Sequence, residues 1–260
     1  MLTCSDLGYR VGQTTILDCI DAAFEPHRLH LVIGPNGAGK STLVKLLARL
    51  VAPTTGRINY DAVDPGLLDD RTLARRRAVL SQAVEVAFPI PARDLVMMGR
   101  YPHFTGRPTA TDEEICDEVM QVLDVAALAE RSYATLSGGE KQRVNFARVL
   151  AQVWRPVDGS GRYLFLDEPL TFLDVQHQLR FMNIVRRFAD HPDVTVIGVV
   201  HDLNLAARFS DRLLLLDGGR IVASGAPSEV LTPDVVQQVF QVQPVIVTNP
   251  ISGSPHLIFE

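Results

Sequence analysis

Gly34-Pro35-Asn36-Gly37-Ala38-Gly39-Lys40-Ser41-Thr42 follows an apolar run ending at Ile33 and precedes Leu43, Leu46, Leu47 and Leu50 at helical spacing. Glycines let a backbone wrap closely around phosphate oxygens and aim its N–H groups inward. The helix that follows adds its positive N-terminal end to the same anion. Lys40 is placed to neutralise the β- and γ-phosphates of a nucleotide, and the Ser41 hydroxyl to ligate Mg²⁺. A glycine-rich turn can match this spacing by chance, but a strand before it and a helix behind it favour the phosphate cradle. The helix is expected to carry Leu50 on its buried face and to stop at Pro53.

Working outward, short β-branched or leucine-rich runs occupy residues 29–33, 78–81, 163–166, 194–200 and 212–216. Runs apolar on both faces suit the interior of a mostly parallel sheet covered by helices, an α/β architecture. One of them, Tyr163-Leu164-Phe165-Leu166, ends in Asp167 followed by Glu168. Asp167 is placed to hold the Mg²⁺ shell, and Glu168 to polarise a water in line with the γ-phosphate. An acidic pair after a strand is often only a solvated turn; beside a phosphate cradle it marks a nucleotide-hydrolysing site.

The whole chain bounds the alternatives. Its 260 residues, 47% hydrophobic and 21% charged, suffice for a buried core with a smaller lobe. A net charge of −5 argues against a general nucleic-acid binder. Cys4, Cys19 and Cys116 are odd in number and lack metal spacing, which favours reduced thiols. Residues 1–6 have no basic or apolar leader character, and no apolar run approaches the length of a membrane span. His27, His30, His103, His177, His191 and His256 are scattered, and each is expected on the surface or in a loop.

Residues 83–154 contain no convincing strand and read as a helical lobe inserted into the α/β core. Thr111-Asp112-Glu113-Glu114 has the form of a capping box, with Ile115, Val119, Val122 and Leu123 on one face. Leu136-Ser137-Gly138-Gly139-Glu140 opens a second capped helix carrying Val144, Ala147, Leu150 and Ala151. Its two glycines cost about 1 kcal/mol each in a helix interior. They leave bare N–H groups at a positive helix end, an anion site with no anion in its own lobe.

With this last motif the chain resembles the ABC ATPase family, whose signature reads L-S-G-G-Q/E, over about residues 2–231. The resemblance implies a P-loop NTPase (RecA-like) core with a mostly parallel sheet, N-terminal antiparallel strands and an inserted helical subdomain. It divides the chain into a nucleotide-binding core at 1–82 and 156–232, a helical subdomain at 83–155 and a C-terminal extension at 233–260. It implies that Leu136, Ser137, Gly138, Gly139 and Glu140 contact ATP held by the cradle of a second copy, so that a homodimer sandwiches two nucleotides with Mg²⁺. Gln82 matches the Q-loop glutamine that senses Mg²⁺ and the transmembrane partner. Asp174 matches the D-loop aspartate, and His201 the switch histidine at the γ-phosphate. Val11 falls where the family stacks an aromatic on adenine, with Tyr9 two residues back, and Phe172 stands where the D-loop usually has alanine.

Members acting on DNA insert a long coiled coil, translation-associated members carry two cassettes, and exporters often fuse the cassette to a membrane domain. A single uninterrupted cassette resembles importer subunits instead. Met97-Met98-Gly99-Arg100-Tyr101-Pro102-His103 and His201-Asp202-Leu203-Asn204-Leu205-Ala206-Ala207 resemble the siderophore, cobalamin and heme group, the hemin subunits most. That resemblance implies two copies of a permease, a periplasmic substrate-binding protein and a place on the cytoplasmic face of a bacterial inner membrane, with no nucleic-acid partner. Phe88, Ile90, Met97, Met98 and Tyr101 are candidates for an apolar groove facing the permease, ordinary lobe core accounting for at least half of them.

Overall fold

The computed structural model of the chain describes residues 1–81, 89–170, 173–251 and 253–259. Its first strands, β1 (Leu2–Val11) and β2 (Thr14–Phe24), pair antiparallel, and β4 (Thr55–Tyr60) lies on the other edge of β1. The sheet that positions the chemistry uses β3 (Arg28–Ile33), β5 (Arg77–Leu80), β6 (Arg162–Asp167), β7 (Val194–Val199), β8 (Arg212–Asp217) and β9 (Arg220–Gly225). Its order is β5-β6-β7-β3-β8-β9, parallel throughout except for β9, which runs antiparallel to β8. Every residue of β7 is buried, as a central strand covered on both faces requires.

Alternate residues of these strands feed two separate cores. Val32, Phe165, Ile197 and Val199 pack with Leu43, Leu46 and Leu47 of α1 (Lys40–Leu47) and with the antiparallel sheet. On the opposite face, Leu31, Ile33, Leu164, Leu166 and Val196 meet α6 (Val175–Ala189) and the inserted lobe. After α2 (Asp70–Arg76), that lobe comprises α3 (Ala92–Met98), α4 (Ala110–Val122) and α5 (Gly138–Val153). After β7 the chain forms α7 (Leu203–Phe209); beyond β9 come α8 (Pro227–Val230), α9 (Pro233–Phe240) and a hairpin of β10 (Pro244–Thr248) and β11 (Pro255–Phe259). No helix among the described residues is long and apolar enough to cross a membrane. Cys4 and Cys116 are buried, and burial pushes their thiols up to about 12 and about 11; Cys19 is exposed.

Three local expectations are corrected. α1 ends at Leu47, well before Pro53, because Arg49 adopts a left-handed conformation at φ 52°. The Leu50 amide then donates to the Lys45 carbonyl at 2.8 Å, a Schellman stop that turns Leu50 outward to 51% exposure. The cap of α4 is Thr109, not Thr111: the Asp112 carboxylate accepts from the Thr109 amide at 2.9 Å and from Arg100 Nε at 3.0 Å, so it is drawn inward. Val122 on that helix is exposed. His30 is not on the surface but buried within β3, its Nε2 3.0 Å from the Glu25 carbonyl.

The segment 97–103 proves to be a joint. Gly99 packs where a Cβ would collide with the Arg148 carbonyl, and Arg100 donates to the Ala151 carbonyl at 2.6 Å. His103 Nε2 lies 2.8 Å from the Gln152 carbonyl. The Gln152 side chain in turn donates to the Ala74 and Arg77 carbonyls at 2.8 Å each, stitching the lobe to α2 and β5.

Candidate nucleotide-binding site

The loop 34–39 turns between β3 and α1 at the carboxyl end of the parallel sheet. Gly34 has φ 144°, and any side chain there would strike the Leu216 carbonyl, so the loop lies tight against β8. Lys40 is 5% exposed, with Nζ donating to the carbonyls of Gly34 and Pro35 at 2.8 Å each. The lysine thus ties the loop into a ring. Burial pulls its pKa down, against the opposing carboxylates of Glu168 and Asp167. Gly39 is the N-cap of α1 and has no side chain to satisfy the first N–H groups, which leaves them to an anion. Asn36 and Gly37 are exposed at the crest, Pro35, Ser41 and Thr42 half-buried and Ala38 buried.

Asp167 ends β6, beside β7, which in turn neighbours β3. Its Oδ1 is buried without a hydrogen-bond partner. Such an orphaned acceptor is costly unless something outside the chain meets it. With the Ser41 hydroxyl at the head of α1, it forms a hard, oxygen-rich donor set that fits a small divalent cation held jointly with phosphate oxygens. Among the described residues no group of three His, Cys, Asp or Glu side chains could hold a metal ion.

Glu168 follows at φ 52°, a left-handed position unusual for a side-chain-bearing residue. Its Oε1 lies 2.9 Å from Nε2 of His201, just beyond β7. Asp202 then caps α7, its Oδ1 accepting from the amides of Asn204 and Leu205 at 2.8 and 2.9 Å, which fixes the backbone behind the histidine. Between them opens a cleft of about 210 Å³ lined by Glu168, Leu170, Gln178, His201, Asp202 and Leu205.

The signature segment sits on the other lobe. Ser137 caps α5: its hydroxyl accepts from the Glu140 amide, and the Glu140 carboxylate accepts from the Ser137 amide at 2.8 Å. Those bonds hold Glu140 below the usual carboxylate range. Leu136 is buried beneath the cap. A Cβ at Gly138 or Gly139 would meet nothing within 4 Å. The packing of this chain therefore makes no use of the missing side chains, and the bare helix end faces open space. Asp174 caps α6, accepting from the His177 amide at 2.9 Å, and these contacts with His177 lower its pKa.

The structure thus gathers the cradle, Asp167, Glu168 and His201, and leaves the residues 136–140 on a separate surface. Val11 lies at the exposed end of β1, 57% accessible, while Tyr9 packs partly against the core. Gln82, Phe88 and Phe172 lie outside the described residues. Of the apolar groove, Ile90 is buried and Met97 and Met98 pack on the lobe core, which leaves Tyr101 exposed with its ring edge-on to Phe104 at 5.7 Å. Two residues escaped sequence reasoning. Gln142 donates to the Pro169 carbonyl, tying α5 to the loop behind Glu168. Asn204 binds the Leu257 backbone through both ends of its amide, at 3.0 and 2.7 Å. Gln142 lies only two residues beyond Glu140, so the signature itself points to it; nothing local predicts the partner of Asn204.

Residues 17–171 match the family described as ABC transporter. The hemin import ATP-binding protein HmuV of Gloeobacter violaceus is 43% identical over 258 residues, covering 99% of this chain and 94% of its own. The cobalamin import ATP-binding protein BtuD of Halobacterium salinarum is 41% identical over 253 residues, covering 97% of this chain and 62% of its own. A dimeric bacterial ABC transporter cassette superposes with a TM-score of 0.74 at 23% identity, over 87% of this chain and 99% of that one. The chain belongs to the ABC transporter family, as an ATP-hydrolysing subunit that couples hydrolysis to import.

Proposed function

We propose that two copies of this chain close head to tail around two molecules of Mg²⁺-ATP and power the import of hemin through a separate permease. The observation that supports the dimer is the open end of α5, where a Cβ at Gly138 or Gly139 would meet nothing within 4 Å among the described residues. A ring-tied cradle facing one way and a bare, capped helix end on another lobe are complementary halves of one anion site.

Each residue then has a role. The backbone of residues 34–42 wraps the phosphates, with Lys40 on the β- and γ-oxygens. Ser41, Asp167 and Gln82 hold Mg²⁺, which neutralises phosphate charge when bound. Glu168 takes the proton of the attacking water as the bond to the ADP oxygen breaks. His201 holds the Glu168 carboxylate and reaches toward the γ-phosphate, and Ser137 to Gly139 of the second copy close over it. Asp174 lies at the contact between copies, and adenine rests on the aliphatic surface at Val11. The core is 1–82 with 156–232, and the lobe 83–155 moves with the permease through Tyr101. Two permease copies, a periplasmic binding protein and a peripheral place on the cytoplasmic face of a bacterial inner membrane complete the assembly; no nucleic acid takes part.

Hemin is favoured over cobalamin because the hemin-named relative matches along nearly its full length, the cobalamin-named one along 62%. The experiment is deletion of the gene in its host. Growth on hemin as sole iron source should fail while growth on ferric siderophores, and uptake of cobalamin, continue. A siderophore or cobalamin defect with normal hemin use would overturn the substrate and leave the cassette untouched.

A further inference from the structure

Two glutamines grip the chain just behind Glu168. Gln142 of α5 donates through its side-chain amide to the carbonyl of Pro169, and Gln178 of α6 donates to that of Leu173 at 3.1 Å. The Leu173 amide in turn donates to the Leu170 carbonyl at 3.2 Å. Pro169 is buried and both glutamines are half-buried, so water competes little for these bonds. One turn further along each helix, Phe146 and Phe181 pack ring to ring with 4.3 Å between centroids, and both are buried. That pair fixes α5 against α6, and with them the spacing of the two donors.

The bond at Pro169 joins two parts with separate tasks. α5 belongs to the inserted lobe and opens at Ser137 and Gly138; Gln142 lies one turn below Gly138 on the same helix face. Pro169 belongs to the core and follows Glu168 directly. The proline ring fixes φ, so a pull on the Pro169 carbonyl passes to the Glu168 peptide with little slack. Glu168 itself stands at φ 52°, a conformation that its surroundings must hold. Gln152 offers a comparison within the same helix. It too ties lobe to core, through the Ala74 and Arg77 carbonyls. Arg77 pairs with Tyr163, however, at the far end of β6 from Glu168.

We propose that Gln142 is a positioning residue for hydrolysis: it holds Glu168 in place from the helix that carries residues 136–140, with Gln178 bracing the other end at Leu173. The inference rests on the head-to-tail reading above, in which residues 136–140 close on the nucleotide of the second copy while Glu168 acts in its own cradle. Gln142 then links the two sites through one chain. Seating of α5 at one nucleotide sets the base at the other.

Gln142→Met keeps the length of the side chain and removes the donor. In the full chain it should lower kcat for ATP about 10- to 100-fold, the scale of a misplaced reacting group, with KM and single-copy ATP affinity unchanged. Gln152→Met, which removes a lobe-to-core tie of the same kind, should lower thermal stability at least as much and leave kcat near the wild-type value. Gln178→Met, at the brace, should act on kcat in the same direction as Gln142→Met. Tagged heterodimers place the effect, because Lys40→Ala in one chain leaves a single working cradle. Turnover should be slow when Gln142→Met is in the chain that provides that cradle and its Glu168. It should be unimpaired when Gln142→Met is in the Lys40→Ala chain, which provides only residues 136–140. Normal kcat in Gln142→Met or in Gln178→Met, an equal kcat loss in Gln152→Met, or a loss that follows the chain providing residues 136–140 would each overturn the proposal. The parent reading is scored separately by ATP-driven dimerisation of Glu168→Gln. A dimer there with normal turnover in Gln142→Met removes this inference alone, and no dimer there removes the sandwich.

Discussion

Nε2 of His201 lies 2.9 Å from Oε1 of Glu168, across the carboxyl ends of the adjacent strands β7 and β6. The contact joins a carboxylate at a left-handed backbone position, the base proposed above, to a ring whose own backbone is fixed by the Asp202 cap. A carboxylate steered this way abstracts a proton along one direction. Glu168→Gln should keep ATP binding but lower hydrolysis by about 10²–10⁴-fold, and should accumulate as an ATP-bound dimer. His201→Ala should lower kcat with little change in ATP affinity. Single-turnover hydrolysis and sizing with ATP check both, and normal turnover of Glu168→Gln would remove it from the base role.

The composite site is tested by separating its halves. Ser137→Arg should leave ATP binding to a single copy nearly intact yet abolish nucleotide-driven dimerisation and turnover, because the arginine fills the space now open above Gly138 and Gly139. Lys40→Ala should lose nucleotide affinity instead. In a mixture of the two variants, each heterodimer holds one site with both lesions and one with neither, so part of the activity should return. Two inactive variants that stay inactive when mixed would rule out independent composite sites.

What could be read in advance follows from range. The cradle, the Asp167-Glu168 pair and the Ser137–Glu140 cap are local patterns, and the strands were readable because central strands such as β7, buried at every position, are apolar at all but Thr195. Features that depend on distant partners were not. The cap of α4 moved to Thr109 because Asp112 also answers to Arg100, a residue whose partner no local pattern reveals. His30, one of the scattered histidines without partners at metal spacing, is expected on the surface or in a loop, but the β3 register carries it inward. The role of Asn204 appears only when residue 257 folds back upon it.

Adenine recognition gives a third expectation. Val11, 57% exposed at the end of β1, offers aliphatic surface where adenine is proposed to rest. ATP and GTP should therefore be discriminated only modestly, and Val11→Tyr should tighten ATP binding by about 1 kcal/mol, near fivefold in Kd. Equilibrium titration with both nucleotides measures this. An unchanged affinity in Val11→Tyr would move adenine elsewhere.

The joint at His103 predicts how stability depends on pH. Its Nε2 faces the Gln152 carbonyl, while Arg100 and Arg75 surround it and Asp112 opposes them more weakly. Burial first, and then the Arg100 charge, lower its pKa from 6.5 to about 4. The folded chain thus binds this proton less readily than the unfolded chain. The resulting stability is fully present above pH 6.5 and is lost as pH falls from 6.5 toward 4. His103→Gln, which can still donate to the Gln152 carbonyl, should remove that part of the acid sensitivity. Thermal midpoints of the two proteins should agree most closely near pH 7.5 and separate as pH falls toward 4.5, the wild type falling faster. If the variant retains the full wild-type slope between pH 6.5 and 5, His103 is not the titrating group, and the acid lability of the lobe lies with its carboxylates.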